Sequence, residues 1–84
     1  MPRYRTVFSR QALAFICRAD DDEMRELETW LDRIESQPGT SGDYSETGDG
    51  SRELQVICLH HVVVTYWSDH GAREVRVVKI EPNA

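Results

Sequence analysis

The sequence predicts a single α+β domain over residues 1–84, in which a strand and two helices are followed by an antiparallel three-stranded meander. Three observations predict this architecture. The 84 residues are too few for two cores, because a chain of this size buries only about 60% of its unfolded surface. Apolar residues recur at helical spacing between residues 11 and 34. From residue 53 onward they form valine-rich runs separated by turn residues, which is typical of strands.

The chain begins with a predicted strand and a short helix. Residues 4–8 alternate and are rich in β-branched and aromatic side chains, as strands are. Ser9 can cap a helix over residues 11–18. We expect Leu13, Ile16 and Cys17 to form the apolar face of that helix.

The second helix has the clearest signal in the chain. Asp20 and Glu23 have the spacing of a capping box, and acidic residues crowd the first turn. Pro38 and Gly39 end the helix. Its predicted apolar stripe, with Trp30 at the margin, consists of Met24, Leu27, Leu31 and Ile34.

The second half of the chain predicts a loop and then three strands. Residues 40–51 are polar and glycine-rich, which favours an irregular loop with one short extended piece at 43–45. Strands are predicted at 54–59, 62–67 and 74–80, with His60 and His61 in the first tight turn and residues 68–72 in the second. Short connections between consecutive strands imply antiparallel pairing.

One face of this sheet is expected to remain uncovered, because two helices can cover only one side. Val62, Val64 and Tyr66 point to one face, whereas Val63 and Trp67 point to the other. Apolar side chains on an uncovered face often mark an interaction surface. We therefore predict that Val63 and Trp67 bind a partner.

The charge distribution bears on the class of ligand and on location. The net charge is -5, with four arginines and no acids in residues 1–18 and eight acids in residues 19–35. Nucleic-acid affinity depends on phosphate neutralisation, so an acidic domain is a poor candidate for a general nucleic-acid binder. There is no apolar run of about 20 residues and no signal-peptide pattern, so we expect a cytoplasmic protein without a membrane anchor.

Metal and cofactor sites are not expected. His60 and His61 lie at one end of a predicted strand and His70 beyond the other, about 20 Å away, so they cannot share an ion. Cys17 and Cys58 have no CxxC spacing, and we expect two buried free thiols. No dinucleotide or phosphate-loop fingerprint is present, and no cofactor is predicted.

The remaining candidates for catalysis are histidines and arginines. His60 and His61 can exchange a proton near neutral pH, and Arg52 and Arg73 can hold a scissile phosphate. These four residues define a hypothetical metal-independent ribonuclease site. The alternative is that both histidines are solvated turn residues and that the arginines offset neighbouring acids.

The strand pattern resembles that of the RelE/ParE superfamily of bacterial toxins, and the preceding strand and helical pair follow that family's order. The resemblance is carried by Ser51-Arg52-Glu53-Leu54-Gln55-Val56, by residues 62–70 and by Glu74-Val75-Arg76-Val77-Val78-Lys79-Ile80. Arg52 is the one residue that matches a basic position of the family. Valines stand early in the return strand, where RelE-like nucleases commonly have an arginine, and the chain ends without a basic, aromatic tail.

The resemblance implies the toxin of a type II toxin-antitoxin system, bound by a cognate antitoxin and without a cofactor. RelE-like members cleave messenger RNA in the ribosome, and ParE-like members inhibit DNA gyrase. The resemblance also leaves room for a homodimer. A third alternative, consistent with the acidic balance and the missing strand arginine, is a non-catalytic module that has kept the fold and lost toxicity.

Overall fold

The computed structural model describes residues 3–83. Strand β1 (Arg5–Phe8) is followed by helices α1 (Arg10–Arg18) and α2 (Asp21–Ser36). Strand β2 (Tyr44–Thr47) and a short 3₁₀ turn (Asp49–Ser51) come next. The chain then forms strands β3 (Glu53–Cys58), β4 (Val62–Asp69) and β5 (Glu74–Pro82).

Both helices begin at the caps that the sequence indicates. The Ser9 hydroxyl accepts a hydrogen bond from the Ala12 N–H at 3.1 Å. The Asp20 carboxylate accepts from the Glu23 N–H at 2.8 Å, and the Glu23 carboxylate accepts from the Asp20 N–H at 2.9 Å. These contacts satisfy N–H groups that have no partner within a helix. The predicted capping box is therefore confirmed.

The sheet has five strands in the order β1-β5-β4-β3-β2, so the predicted three-stranded meander is wrong in strand number. Strands β2 to β5 pair antiparallel, whereas β1 pairs parallel to β5. The additional strand, β2, lies at residues expected to be mostly loop. It can pair because Gly42 crosses directly over β3, where an added Cβ would lie 2.5 Å from the Val56 carbonyl oxygen.

The core lies between one face of the sheet and the two helices, as predicted. Its largest buried side chains include Trp30 and Leu27 of α2 and Tyr66 of β4. Trp30, expected at the margin of the stripe, is 3% exposed and contacts Tyr66 edge to face at 5.0 Å between ring centroids.

A bulge in β5 keeps its apolar residues on the core side. Thr65 lies opposite Lys79 and Tyr66 lies opposite Val77, which leaves Val78 as an extra residue. Val75, Val77 and Ile80 consequently share the buried face, although strict alternation would turn Ile80 outward.

Helix α1 uses a different face from the one expected. Ala12 and Phe15 are buried, whereas Leu13 is 50% exposed and Cys17 is exposed. Phe15 offers the largest apolar surface in the helix and thereby sets its rotation. Cys58 is also exposed, so the expectation of two buried thiols is wrong.

Within residues 3–83, neither helix has the length and apolar composition needed to span a bilayer.

Candidate functional site

The helices leave one face of the sheet uncovered, which we call the helix-free face. Its residues alternate with those of the core, as pleated strands require. The face includes Val7 of β1, Tyr44 of β2, Leu54, Val56 and Cys58 of β3, Val63, Thr65, Trp67 and Asp69 of β4, and Glu74 and Arg76 of β5.

Much of the apolar surface on this face is already covered by the chain itself. Leu54, Val56 and Thr65 are at most 8% exposed although no helix packs on them. The turn after β2 contributes to this burial, since a Cβ at Gly48 would lie 2.7 Å from Leu54 Cδ1. Val63 and Trp67 of β4 remain partly exposed, and Tyr44 of β2, which pairs with Val56 on this face, is 53% exposed.

Two arginines lie over the ring of Trp67. The Arg52 guanidinium carbon is 3.7 Å from the ring centroid, and that of Arg76 is 5.8 Å away. Both distances are within the range of cation-π attraction. Arg52 reaches the ring because Gly50 and Ser51 adopt left-handed backbone angles, with φ of 72° and 63°, just before β3. We call these three side chains the Trp67 cluster.

Acidic neighbours neutralise Arg76. Glu74, whose side chain is 11% exposed, accepts from the Arg76 guanidinium at 2.8 Å and from that of Arg5 at 2.9 Å. Asp69 Oδ2 lies 3.8 Å from Arg76 Nε, a buried atom that has no hydrogen-bond partner in the described structure. Arg52, by contrast, forms no ion pair with any described carboxylate. The charge that the cluster offers to a ligand is therefore that of Arg52.

A polar cavity of about 620 Å³ adjoins the Trp67 cluster. Arg52, Trp67 and His70 contribute to its wall, together with the loop that follows α2. The Tyr66 hydroxyl donates to Thr40 O at 3.0 Å and the Ser68 hydroxyl to Pro38 O at 2.8 Å, which fixes that loop against β4. Burial raises the pKa of the Tyr66 phenol, so the hydroxyl keeps its proton for this bond.

The four predicted catalytic residues do not form one group. His60 and His61 lie in the turn between β3 and β4, where their rings contact edge to face at 4.5 Å. Arg52 immediately precedes β3 and Arg73 immediately precedes β5, both at the opposite end of the sheet, about 20 Å away along β3. The structure brings Arg52 to Trp67 but brings neither arginine to the histidines.

His61 and Arg73 both have structural contacts. The His61 backbone N–H donates to Glu26 Oε1 at 2.7 Å, which ties the turn to α2. Arg73 has a φ of 56°, and its carbonyl accepts from the Arg5 N–H at 3.1 Å, so it shapes the turn before β5.

Sequence reasoning did not single out Glu74 and Asp69. The sequence feature that could have indicated them is the short hairpin between β4 and β5. This hairpin places Arg76 opposite Trp67 and Glu74 opposite Asp69. Among residues 3–83 no cluster of three or more histidine, cysteine or acidic side chains is arranged to hold a metal ion.

The overall fold has a counterpart among solved structures. No family model and no curated protein matches the sequence. A chain of the archaeal RelE-RelB complex from Pyrococcus horikoshii superposes with a TM-score of 0.75 at 18% identity. The match covers 95% of this chain and 94% of that chain. The protein thus has a RelE-like α+β fold of two helices and a five-stranded mixed sheet.

Proposed function

We propose that this protein is the toxin-like component of a type II toxin-antitoxin system and that a cognate antitoxin covers its helix-free face. The observation that supports the proposal most is the match to a chain of the RelE-RelB complex over nearly the full length of both chains. The partly exposed Val63 and Trp67 on a face that the helices leave open fit the same proposal. The place of action is the cytoplasm.

The antitoxin contact is tested by co-expression with the product of the adjacent open reading frame. We expect the tagged protein to retain that product through size-exclusion chromatography and Val63→Asp to lose it, because a buried unpaired carboxylate is costly at an interface. Thr29→Asp, on the exposed surface of α2, is the matched control and retains the partner. Retention by Val63→Asp would contradict the assignment of this face.

We further propose that the target is translation, through ribosome-dependent cleavage of messenger RNA at the Trp67 cluster. Arginine donors suit phosphate oxygens, and an arginine on an aromatic ring is a common element of single-strand binding sites. Arg52 has such a position and no carboxylate partner among the described side chains. The histidines enter this proposal only as the less favoured pair, because they lie at the far end of β3.

The target is tested by mapping message ends after induced expression. We expect new cleavage sites with the wild-type protein and far fewer with Arg52→Ala. Lys79→Ala, which removes another exposed cation from the sheet, is the control and keeps cleaving. Intact messages with inhibited gyrase supercoiling would instead support a ParE-like action.

A non-catalytic binding module is the second candidate. The observation in its favour is the separation of His60 and His61 from both arginines. The predicted combination of a histidine that transfers a proton and an arginine that holds the phosphate is therefore not formed by these residues. Under this alternative the wild-type protein binds its partner yet is harmless when expressed alone.

A further inference from the structure

The outer surface of α1 is apolar and basic and has no acidic residue. Arg10, Leu13, Ala14 and Cys17 follow the spacing i, i+3, i+4, i+7 and lie on one exposed stripe, with Arg18 beside its end. Leu13 is 50% exposed, compared with 37% for Val78 on β5. We call these five residues the α1 outer stripe.

The fold does not require this stripe. Ala12 and Phe15 bury the inner face of α1, and Ile16 and Ala19 pack against the same core. Leu13 and Cys17 are outside that core. A leucine that is half exposed in the middle of a helix therefore contributes little to folding and is available for a contact with another molecule.

The two arginines of the stripe have different surroundings. Arg18 lies in the last turn of α1, where the helix dipole favours a cation, and donates to the Ala14 carbonyl at 3.4 Å. Arg10 stands at the first position of α1, where the positive end of the helix dipole disfavours a cation, and no acid occupies that turn. Neither Arg10 nor Arg18 forms an ion pair with a described carboxylate. Helix α2, in contrast, has three acids in its first turn.

We propose that the α1 outer stripe docks an acidic amphipathic helix of a partner protein. Ala14 and Cys17 are small enough for a second helix to approach to about 8–10 Å, and Leu13 can insert between its side chains. Arg10 and Arg18 are about 12 Å apart along the axis at 1.5 Å per residue. They would pair with carboxylates roughly two turns apart on the partner.

A second copy of this chain fits the stripe less well than such a partner. Pairing α1 with its own copy would bring the two sets of arginines together, and like charges at an interface oppose association. The acidic helix α2 cannot supply the apolar side either, since its Leu27, Trp30 and Ile34 are buried in the core. The charge pattern thus favours a chain of different sequence.

The stripe is separate from the helix-free face, so the inference goes beyond the proposed function. Helix α1 packs on one side of the sheet, and the Trp67 cluster lies on the other. Each surface carries one exposed cysteine, Cys17 on the stripe and Cys58 opposite Val63. The two thiols can therefore report separately on the two surfaces.

The probe is a fluorescein-labelled synthetic helix of about 18 residues, with leucines at i, i+4 and i+7 flanked by glutamates. Its control has the same sequence with every glutamate replaced by lysine. We expect fluorescence anisotropy to show binding of the acidic peptide to the full chain and roughly tenfold weaker binding of the basic one. Equal affinity for both peptides would overturn the proposal.

Substitutions locate the contact. We expect Leu13→Asp, and separately the double variant Arg10→Glu with Arg18→Glu, to weaken the acidic peptide roughly tenfold. The matched control is Arg25→Glu with Arg33→Glu on α2, where the two exposed arginines have the same separation. Circular dichroism verifies that each variant is folded. An equal loss in the control pair would overturn the proposal.

Alkylation with iodoacetamide, followed by mass spectrometry, distinguishes the surfaces. Bound acidic peptide is expected to slow modification of Cys17 severalfold and to leave Cys58 unchanged. Protection of Cys58 instead, or a dimer in sedimentation that Leu13→Asp abolishes, would overturn the assignment of the stripe to an acidic partner. Peptide binding and cysteine protection do not depend on whether the protein arrests growth. A negative result in these experiments would therefore contradict the docking proposal and leave the proposed function unaffected.

Discussion

At the scale of single residues, two arginines over the same tryptophan ring have different electrostatic surroundings. Arg76 is held by Glu74, with Asp69 nearby, whereas Arg52 contacts the ring without a described carboxylate partner. Arg76 therefore supports Trp67, and Arg52 remains able to bind an anion. Arg52 was predicted from the sequence as a catalytic candidate and Trp67 as a partner-binding residue. Their contact was not, because it depends on the left-handed turn at Gly50 and Ser51.

Loss of the Glu74 charge is expected to destabilise the fold. Glu74 accepts hydrogen bonds from Arg5 and Arg76, and its side chain is only 11% exposed. We predict that Glu74→Gln lowers the free energy of unfolding by about 1–2 kcal/mol in urea titrations, since bonds to charged groups are worth about 1.5–3 kcal/mol and Arg5 is largely solvated. Glu81→Gln, at an exposed pair with Lys79, should cost less than about 0.5 kcal/mol. Equal losses would contradict this role for Glu74.

The phenol of Tyr66 is expected to make the free energy of unfolding depend on pH in the alkaline range. Burial raises its pKa above the ordinary value of 10.0, with Asp43 adding to the shift and Arg33 opposing it. The folded state thus holds the phenol proton more tightly than the unfolded state. The resulting contribution to the free energy of unfolding is complete below pH 10.0 and is lost as pH rises through the folded pKa. We predict that Tyr66→Phe loses about 1 kcal/mol near neutral pH with the bond to Thr40 but has a shallower alkaline decline.

Tyr44→Phe is the control for that measurement. Tyr44 is 53% exposed and Tyr44→Phe keeps the Tyr66 phenol, so we expect the alkaline slope of the wild-type protein. Unfolding curves at several alkaline pH values provide the comparison. Identical slopes for wild type and Tyr66→Phe would show that another group controls this range.

At the scale of elements, capped helices and regular strands could be predicted from local chemistry, but helix rotation and β2 could not. Both sides of α1 carry apolar residues, so its pattern did not distinguish Leu13 and Cys17 from Ala12 and Phe15. Strand β2 is polar and exposed along its length, and its pairing depends on the close approach of Gly42 to β3. Such approaches are properties of packing and leave little trace in a sequence pattern.

Gly42 should be essential for strand β2. An added Cβ would lie 2.5 Å from the Val56 carbonyl oxygen, so the backbones must separate. We predict that Gly42→Ala costs about 1–3 kcal/mol and increases amide exchange in β2, as overpacked sites do. At Gly39 no atom lies within 4 Å of an added Cβ, so Gly39→Ala should leave exchange in β2 unchanged. Protected β2 amides in Gly42→Ala would refute the account of this strand.

The bulge in β5 can be tested through the two residues that follow Val78. Strict alternation from Val75 and Val77 would bury Lys79, but the bulge buries Ile80 to 1% exposure instead. We predict that Ile80→Ala lowers the free energy of unfolding by about 2–4 kcal/mol and that Lys79→Ala changes it by less than about 0.5 kcal/mol. Denaturant midpoints measure both. A larger loss for Lys79→Ala than for Ile80→Ala would contradict the bulge at Val78.

At the scale of the whole molecule, the sequence was sufficient to predict helices on one side of a sheet. Two helices with one apolar stripe each cannot cover two faces, and Val63 and Trp67 were placed correctly on the uncovered one. The parallel pairing of β1 with β5 was not predicted, because it joins residues far apart in the chain. The grouping of His60 and His61 with Arg52 failed for a related reason, since β3 separates them.

We propose, as the central claim, that the activity of this RelE-like fold resides in the Trp67 cluster rather than in the histidine turn. Its most direct test is growth after tightly controlled induction of the protein alone, compared with Arg52→Ala and with the double variant His60→Ala and His61→Ala at equal expression. The proposal predicts arrest by the wild type and by the histidine variant, and normal growth with Arg52→Ala. Normal growth with the wild type, or arrest that survives Arg52→Ala and disappears with the histidine variant, would contradict it.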